Sequence, residues 1–296
     1  MTVARRRRCA YLTMEDMSGF VTDADLSVPA MAALGWDVEF VPWRRPGVDW
    51  GRFELVYICT PWDYQADPAA FIGVLERIEA STALLVNPLA LVRWNLDKTY
   101  LRELEAAGVK IVPSLWFDAW STDALAVARE AFSTATVVVK PQLGANADHT
   151  YLVAPAREAG LLADMAASFR SRPYFVQPFI ESIRTEGEYS LFYLDGAYSH
   201  AIRKTPRAGD FRSQEEHGAD ILAVEADEQL RAAAAAAMRC IEPAPVYARL
   251  DFVRGPGDAM LLMELELIEP SLYLRMDTAS PARFARALDA AASASG

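Results

Sequence analysis

The chain has 296 residues, 52% of them apolar, which makes it a globular protein with enough material for two or three packed lobes. Its formal net charge of −11 leaves no dominant basic surface and argues against nucleic acid as the main partner. No apolar run of about 18 residues occurs, so no membrane-spanning helix is expected and the cytoplasm is the default location.

The arginine run 5–8 reads as a solvated leader before the first strand. Residues 9–14, 37–42, 53–60 and 83–86 read as strands, and 25–34 (closed by Gly35) and 67–79 as helices. Alternation of this kind is the pattern of a small parallel α/β sheet, whose ligands gather at the carboxyl ends of its strands. The loop Thr60-Pro61-Trp62-Asp63-Tyr64 leaves a strand at that edge. Trp62, Asp63 and Tyr64, with the acid Asp23, could seat an amino-acid-sized ligand; a structural loop around a buried Trp62 is the other reading.

Asn87-Pro88 opens a further helix, and 97–108 reads as another, stopped by Gly108. A connector over 115–123, rich in Trp and Asp, leads to a helix over 124–132 and a strand over 136–141. Pro141 keeps Lys140 extended, and a lysine at a strand end beside the loop 142–146 with its Gly144 has the ingredients for holding phosphate. With one glycine, a plain turn is the alternative. Residues 174–180 read as a buried strand, and 188–194 with 197–204 as a hairpin about Asp195-Gly196. The stretch between Arg203 and His217 concentrates cations, which suits polyphosphate or carboxylate, or else forms an exposed loop. Helices over 227–240 and 281–292 read as packing elements. Cys9, Cys59 and Cys240 show no metal-ligand spacing and read as small hydrophobes; with three histidines in the chain, a histidine-based zinc site is not expected.

The second hairpin is the most informative. Residues 246–253 and 261–270, joined by a Gly-Pro-Gly-Asp turn, alternate so that Arg249 and Asp251 share one face and Glu264 and Glu266 share a face of the partner strand. If the register brings these faces together, the anions repel unless something neutralises them. Magnesium, a hard ion that takes carboxylate and phosphate oxygens together, is the candidate; a solvated face with salt bridges to Arg249 is the alternative.

In order along the chain, Lys98, Lys140-Pro141, Gln177-Pro178-Phe179-Ile180, Glu188, Lys204, Arg212, Arg249-x-Asp251 and Glu264-x-Glu266 resemble the ATP-grasp ligases, in particular the glutathione synthetase and RimK-type branch. The strings Pro61-Trp-Asp-Tyr64, Arg93-Trp-Asn-Leu-Asp-Lys98-Thr-Tyr-Leu101, Ser199-His-Ala-Ile-Arg-Lys204 and Glu264-Leu-Glu-Leu-Ile-Glu-Pro-Ser271 resemble more closely the actinobacterial group that contains the D-cycloserine-forming cyclising ligases. The resemblance implies an α/β (α+β) ATP-grasp fold: an N-terminal parallel α/β domain over 1–92, a central lid subdomain over 93–180 and a metal- and phosphate-binding subdomain over 181–296. It implies that Lys98 and Lys140, with Gly144, hold ATP phosphates, that Gln177, Pro178, Phe179 and Ile180 face adenine, and that Glu188 accepts the ribose hydroxyls. Asp251, Glu264 and Glu266 would carry Mg²⁺, and Arg203, Lys204, Arg212 and Arg249 would neutralise the γ-phosphoryl group and an acyl phosphate. Trp62, Asp63, Tyr64, Asp23 and Ser271 would meet the substrate. Glu266 and Gln214 stand where that superfamily often has Asn, which leaves the number of metal ions open.

The implied activity is ADP-forming ligation of a carboxylate to a nitrogen through an acyl phosphate, with cyclisation of O-ureido-D-serine to D-cycloserine favoured. An intermolecular amino-acid or peptide ligase, a small-molecule kinase on the same scaffold and a nucleotide-sensing module are the alternatives. No protein nucleophile is needed, and His200 reads as a structural side chain rather than a proton-transfer group. The substrate is expected to be small and amino-acid-like, with neither nucleic acid nor membrane as partner; homo-oligomers are common in the superfamily. The loops at Gly144 and 203–217 are expected to be mobile without nucleotide and ordered with it, because an acyl phosphate hydrolyses in water.

Overall fold

In a computed structural model that describes residues 6–144 and 147–294, strands β1 (Arg7–Thr13), β2 (Trp36–Pro42), β3 (Leu55–Thr60) and β4 (Leu84–Val86) form a parallel sheet in the order β2-β1-β3-β4. Arg5 of the arginine run and Ala145 and Asn146 of the loop after Lys140 lie outside the described residues. Strand β3 is buried at every position, as a parallel strand covered on both faces must be. The helix expected over 25–34 is split into a 3₁₀ turn, Ala24–Ser27, and α1 (Val28–Ala33). Pro29 causes this: lacking an N–H, it is tolerated only in the first turn of an α-helix. Helix α2 (Pro68–Glu79) begins where expected, with Asp67 accepting from the Ala70 N–H, and buries Phe71, Leu75 and Ile78 against Leu12, Val56 and Ile58.

Helices α3 (Leu89–Asn95) and α4 (Tyr100–Ala106) lead to an antiparallel sheet of β5 (Leu115–Phe117), β6 (Val137–Pro141), β7 (Tyr151–Val153) and β8 (Tyr174–Pro178), ordered β5-β8-β6-β7, with α5 (Ala124–Phe132) and α6 (Glu158–Ser168). Its core is separate, built on Leu125, Val137, Val139, Met165, Phe169 and Tyr174. The connector expected over 115–123 in fact contributes β5, where Trp116 stacks on Phe175 with centroids 4.8 Å apart. Neither β7 nor α6 has a clear apolar period, and α6 buries only Met165.

After a short α7 (Ser182–Thr185), the strands β9 (Glu188–Leu194), β10 (Ala197–Thr205), β11 (Asp220–Val224), β12 (Tyr247–Arg254) and β13 (Met260–Glu266) form an antiparallel sheet ordered β11-β10-β9-β12-β13. One face packs under α4 and α8 (Glu228–Met238) through Leu191, Leu250 and Leu262. The opposite face packs on the first sheet and on α9 (Ser280–Ala294) through Phe192, Leu194, Ile202 and Tyr247. The outer strand β13 is covered by segment 110–112, whose Val112 N–H donates to the Leu262 carbonyl at 3.0 Å. Among the described residues, no helix is long and apolar enough to cross a membrane.

Candidate active site

A strand presents every second residue to one face, and here the face changes chemistry along its length. On β9, Phe192 and Leu194 pack on the first sheet, while on the same face Glu188 lines a cleft between the second and third sheets and the loop after β3, and Ser190 bonds to Asp251 beneath it. On β12, Tyr247 packs and Arg249 and Asp251 reach the cleft; on β10, Ile202 packs and Lys204 reaches it. Gly187 permits this convergence: at φ +111°, a Cβ there would stand 2.8 Å from the Lys204 carbonyl oxygen.

The hairpin register sets Arg249 opposite Glu266 and Asp251 opposite Glu264. Carboxylate oxygens of Asp251, Glu264 and Glu266 lie within 4.8 Å of one another. Cations of the chain surround them. Arg249 Nη2 donates to Asp251 at 2.9 Å and also to Glu266, and Lys98 Nζ lies 3.0 Å from Glu264. Lys204 pairs with Glu188 and lies 3.6 Å from Asp251, which also accepts from Ser190 Oγ at 2.5 Å. The salt-bridged reading of the hairpin and the cation-site reading thus describe the same residues.

Burial lifts the Glu266 carboxyl to about 7, helped by Glu264 and Asp251 and only partly offset by Arg249. Asp251 is buried too, but Arg249 and Lys204 outweigh burial and hold it below the ordinary carboxylate range. Burial pulls all three cleft lysines down, and for Lys204 the acids Asp251 and Glu188 more than reverse it. Glu264 does the same for Lys98, whereas Lys140 stays lowered.

The opposite wall comes from the second sheet. Lys140 and the run Gln177, Pro178, Phe179 and Ile180 line the cleft, and Gln177 Nε2 donates to Ser114 Oγ at 3.0 Å. Lys98 ties the two walls, since its Nζ donates to the Gly144 carbonyl at 2.7 Å while pairing with Glu264. From the loop after β10, Ser213 Oγ donates to Glu188 at 2.6 Å, and Arg212 is clamped by Asp210 at 2.9 and 3.2 Å. Gln214 Oε1 is buried there with no donor among the described residues.

Of the residues singled out in the sequence, Lys98, Lys140, Gly144, Gln177, Pro178, Phe179, Ile180, Glu188, Lys204, Arg212, Arg249, Asp251, Glu264, Glu266, Trp62, Tyr64 and Ser271 line this one cleft. Three do not, and each is a correction. Asp63 turns outward to accept from Trp43 Nε1 at 2.6 Å and to meet Arg44 at 3.3 Å. Arg203 alternates with Lys204 along β10 and faces the other side of the sheet, opposite Tyr189. Asp23 accepts from the Arg275 N–H at 2.9 Å and lines a separate small cavity; Arg275 also pairs with Glu215, tying the loop after β10 to the first sheet.

Three residues of the site region carried no assigned role in the sequence. Glu269 is buried at the cleft wall, its main-chain carbonyl accepting from Trp62 Nε1 at 3.0 Å; its only sequence signal is an acid among apolar neighbours. Tyr273, in the left-handed region at φ 46°, lines the cleft and had none. Asn95 fixes the end of β13 by donating to the Leu265 carbonyl at 2.9 Å and accepting from the Leu267 N–H at 2.8 Å. His200 stacks on Phe192 at 4.3 Å and faces the Leu272 carbonyl at 3.0 Å; burial lowers it to about 4.

Residues 9–87 match the family model described as D-cycloserine synthetase DcsG, N-terminal domain. The chain is 35% identical over 304 residues to the cycloserine biosynthesis protein DcsG of Streptomyces lavendulae, covering 90% of this chain and 96% of that protein. A crystal structure of D-cycloserine synthetase DcsG superposes with a TM-score of 0.82 at 32% identity, covering 96% of this chain and 99% of the other. The ATP-grasp ligase PsnB, complexed with a minimal precursor, Mg and ADP, matches with a TM-score of 0.66 at 17% identity over 99% of each chain. D-alanine–D-alanine ligase from Bacillus anthracis complexed with ATP matches with 0.68 at 14% identity over 98% of each, and both of these likenesses speak to the fold alone.

Proposed function

The chain belongs to the D-cycloserine synthetase family of ATP-grasp ligases, and from that premise we propose that this ATP-dependent ligase closes an isoxazolidinone ring on O-ureido-D-serine, releasing ADP and phosphate. The observation that carries the reading is the meeting of Asp251, Glu264 and Glu266 with Lys98, Lys204 and Arg249 in one cleft. A carboxylate resists attack by nitrogen because its leaving group is poor; phosphorylation by ATP converts it to an acyl phosphate. The oxygen-bound nitrogen of the same molecule then attacks the carbonyl carbon and phosphate departs. Because nucleophile and electrophile share one molecule, the protein has only to hold a bent conformer. Reaching D-cycloserine itself also requires loss of the carbamoyl group with water.

Lys98 and Lys140 are assigned to the ATP phosphates, the run Gln177 to Ile180 to adenine and Glu188 to the ribose. Lys204 and Arg249 stabilise charge on the transferred phosphoryl group and the acyl phosphate, with Arg212 approaching from its loop. Asp251, Glu264 and Glu266 would hold magnesium, and their hard oxygen donors within 4.8 Å of one another fit it. The chemistry an ion held there would supply is neutralisation of negative charge on the phosphate oxygens. Trp62, Tyr64 and Ser271 are assigned to the substrate, supported by their place in the cleft wall, and the proposed divisions 1–92, 93–180 and 181–296 are supported by each span holding one sheet.

The test is ADP release from the purified protein with MgATP and O-ureido-D-serine or its L isomer, with products identified by mass. A ring-closed product from the D isomer alone is expected. ADP release that needs a separate amine would instead make it an intermolecular ligase, and a stable phosphorylated product would make it a kinase.

A further inference from the structure

Among the described residues, the buried and half-buried acids of the cleft each pair with a cation of the chain, with one exception. Glu188 is paired with Lys204, Asp251 and Glu266 with Arg249, and Glu264 with Lys98. Asp148 and Glu216 lie at the mouth, exposed to water. Glu269 is different. It is only 9% exposed, lines the cleft, and among the described residues forms no ion pair with any Lys, Arg or His. The Trp62 indole fixes its main chain and the Tyr64 hydroxyl is the polar neighbour of its carboxyl.

A buried carboxylate without a cation is costly, and it either stays protonated or waits for a cation from a ligand. Here it stays protonated: burial, then Glu266 and Glu264, push its carboxyl up to about 8, against smaller opposing effects of Tyr64 and Lys98. The metal-binding cluster is already supplied with cations, so a ligand cation entering the cleft meets its one unmatched buried acid beside the Trp62 and Tyr64 loop.

We infer that Glu269 receives the ammonium group of the amino-acid substrate, with the Tyr64 hydroxyl beside it, and that it thereby selects an α-amino acid over carboxylates lacking that charge. The inference rests on the proposed reading of the substrate as an amino acid. It differs from the expectation that Asp23 and Asp63 supply the acids of that pocket, since one is occupied by Arg275 and the other faces away from the cleft.

The test is calorimetric binding of O-ureido-D-serine and of its counterpart with hydrogen in place of the ammonium, to wild type and Glu269→Gln, in the presence of MgADP. Wild type should prefer the ammonium compound by about 30-fold, the scale of one charged hydrogen bond. It should also release most of a proton near neutral pH, read from buffers of different ionisation enthalpy. Glu269→Gln should bind the two compounds equally and release no proton, with MgADP affinity unchanged. Retained preference in the variant, a parallel loss of MgADP affinity, or no binding of either compound to wild type would each overturn the inference. Failure of the ring-closure reading shows separately, as wild-type binding with this preference but no ADP released from MgATP, and the inference would stand.

Discussion

Lys204 is buried between two buried acids, pairing with Glu188 and lying 3.6 Å from Asp251, so replacing it with methionine removes a charge that the fold itself needs. Asp251 keeps Arg249 at 2.9 Å, but among the described residues Glu188 keeps only the Ser213 hydroxyl, at 2.6 Å. Breaking a buried pair from one side costs about 3–5 kcal/mol, because a charge is left without compensation. The deficit relative to wild type, measured by urea unfolding at neutral pH, is therefore expected to be about 3 kcal/mol or more. Adding Glu188→Gln, which can still accept from Ser213, should recover most of the loss. A deficit under about 1 kcal/mol, or a double variant no better than the single, would refute the reasoning.

Glu266→Gln should raise the Mg²⁺ concentration for half-maximal ADP release by at least about 10-fold, and an unchanged magnesium titration would remove Glu266 from the metal set. Asp63→Asn should leave turnover within about twofold of wild type, since the side chain faces Trp43 and Arg44 outside the cleft; a large loss would return it to the substrate pocket. His200 has its folded pKa depressed by burial to about 4, so its contribution is fully present above the unfolded value and is lost as pH falls through the folded one. Between about pH 7.5 and pH 4, wild type should lose about 3 kcal/mol more than His200→Gln in urea unfolding, and equal losses would count against the buried neutral imidazole.

Much of the site was legible in the sequence because strands write their faces into it. Arg249 with Asp251, and Glu264 with Glu266, had to share faces, and the short turn between them left little freedom of register, so the carboxylate cluster follows from alternation and turn chemistry. The same period, applied one residue at a time, separates Arg203 from Lys204. Composition and the parallel-strand pattern likewise placed β1 to β4, whereas β5, β7 and β11 are edge strands of three to five residues, too short to show a period.

What only tertiary structure decided is which charges are matched. Lys98 reaches Glu264 from across the cleft, Arg275 claims Asp23, and Trp43 draws Asp63 away from the cleft. Each pairing joins segments distant in sequence, and no local period encodes it. Whether an acid serves as structural partner, metal ligand or ligand receptor depends on its burial and on the cation that the fold brings to it. For that reason Glu269, one acid among several in the sequence, is distinguished only once the cleft around it is assembled.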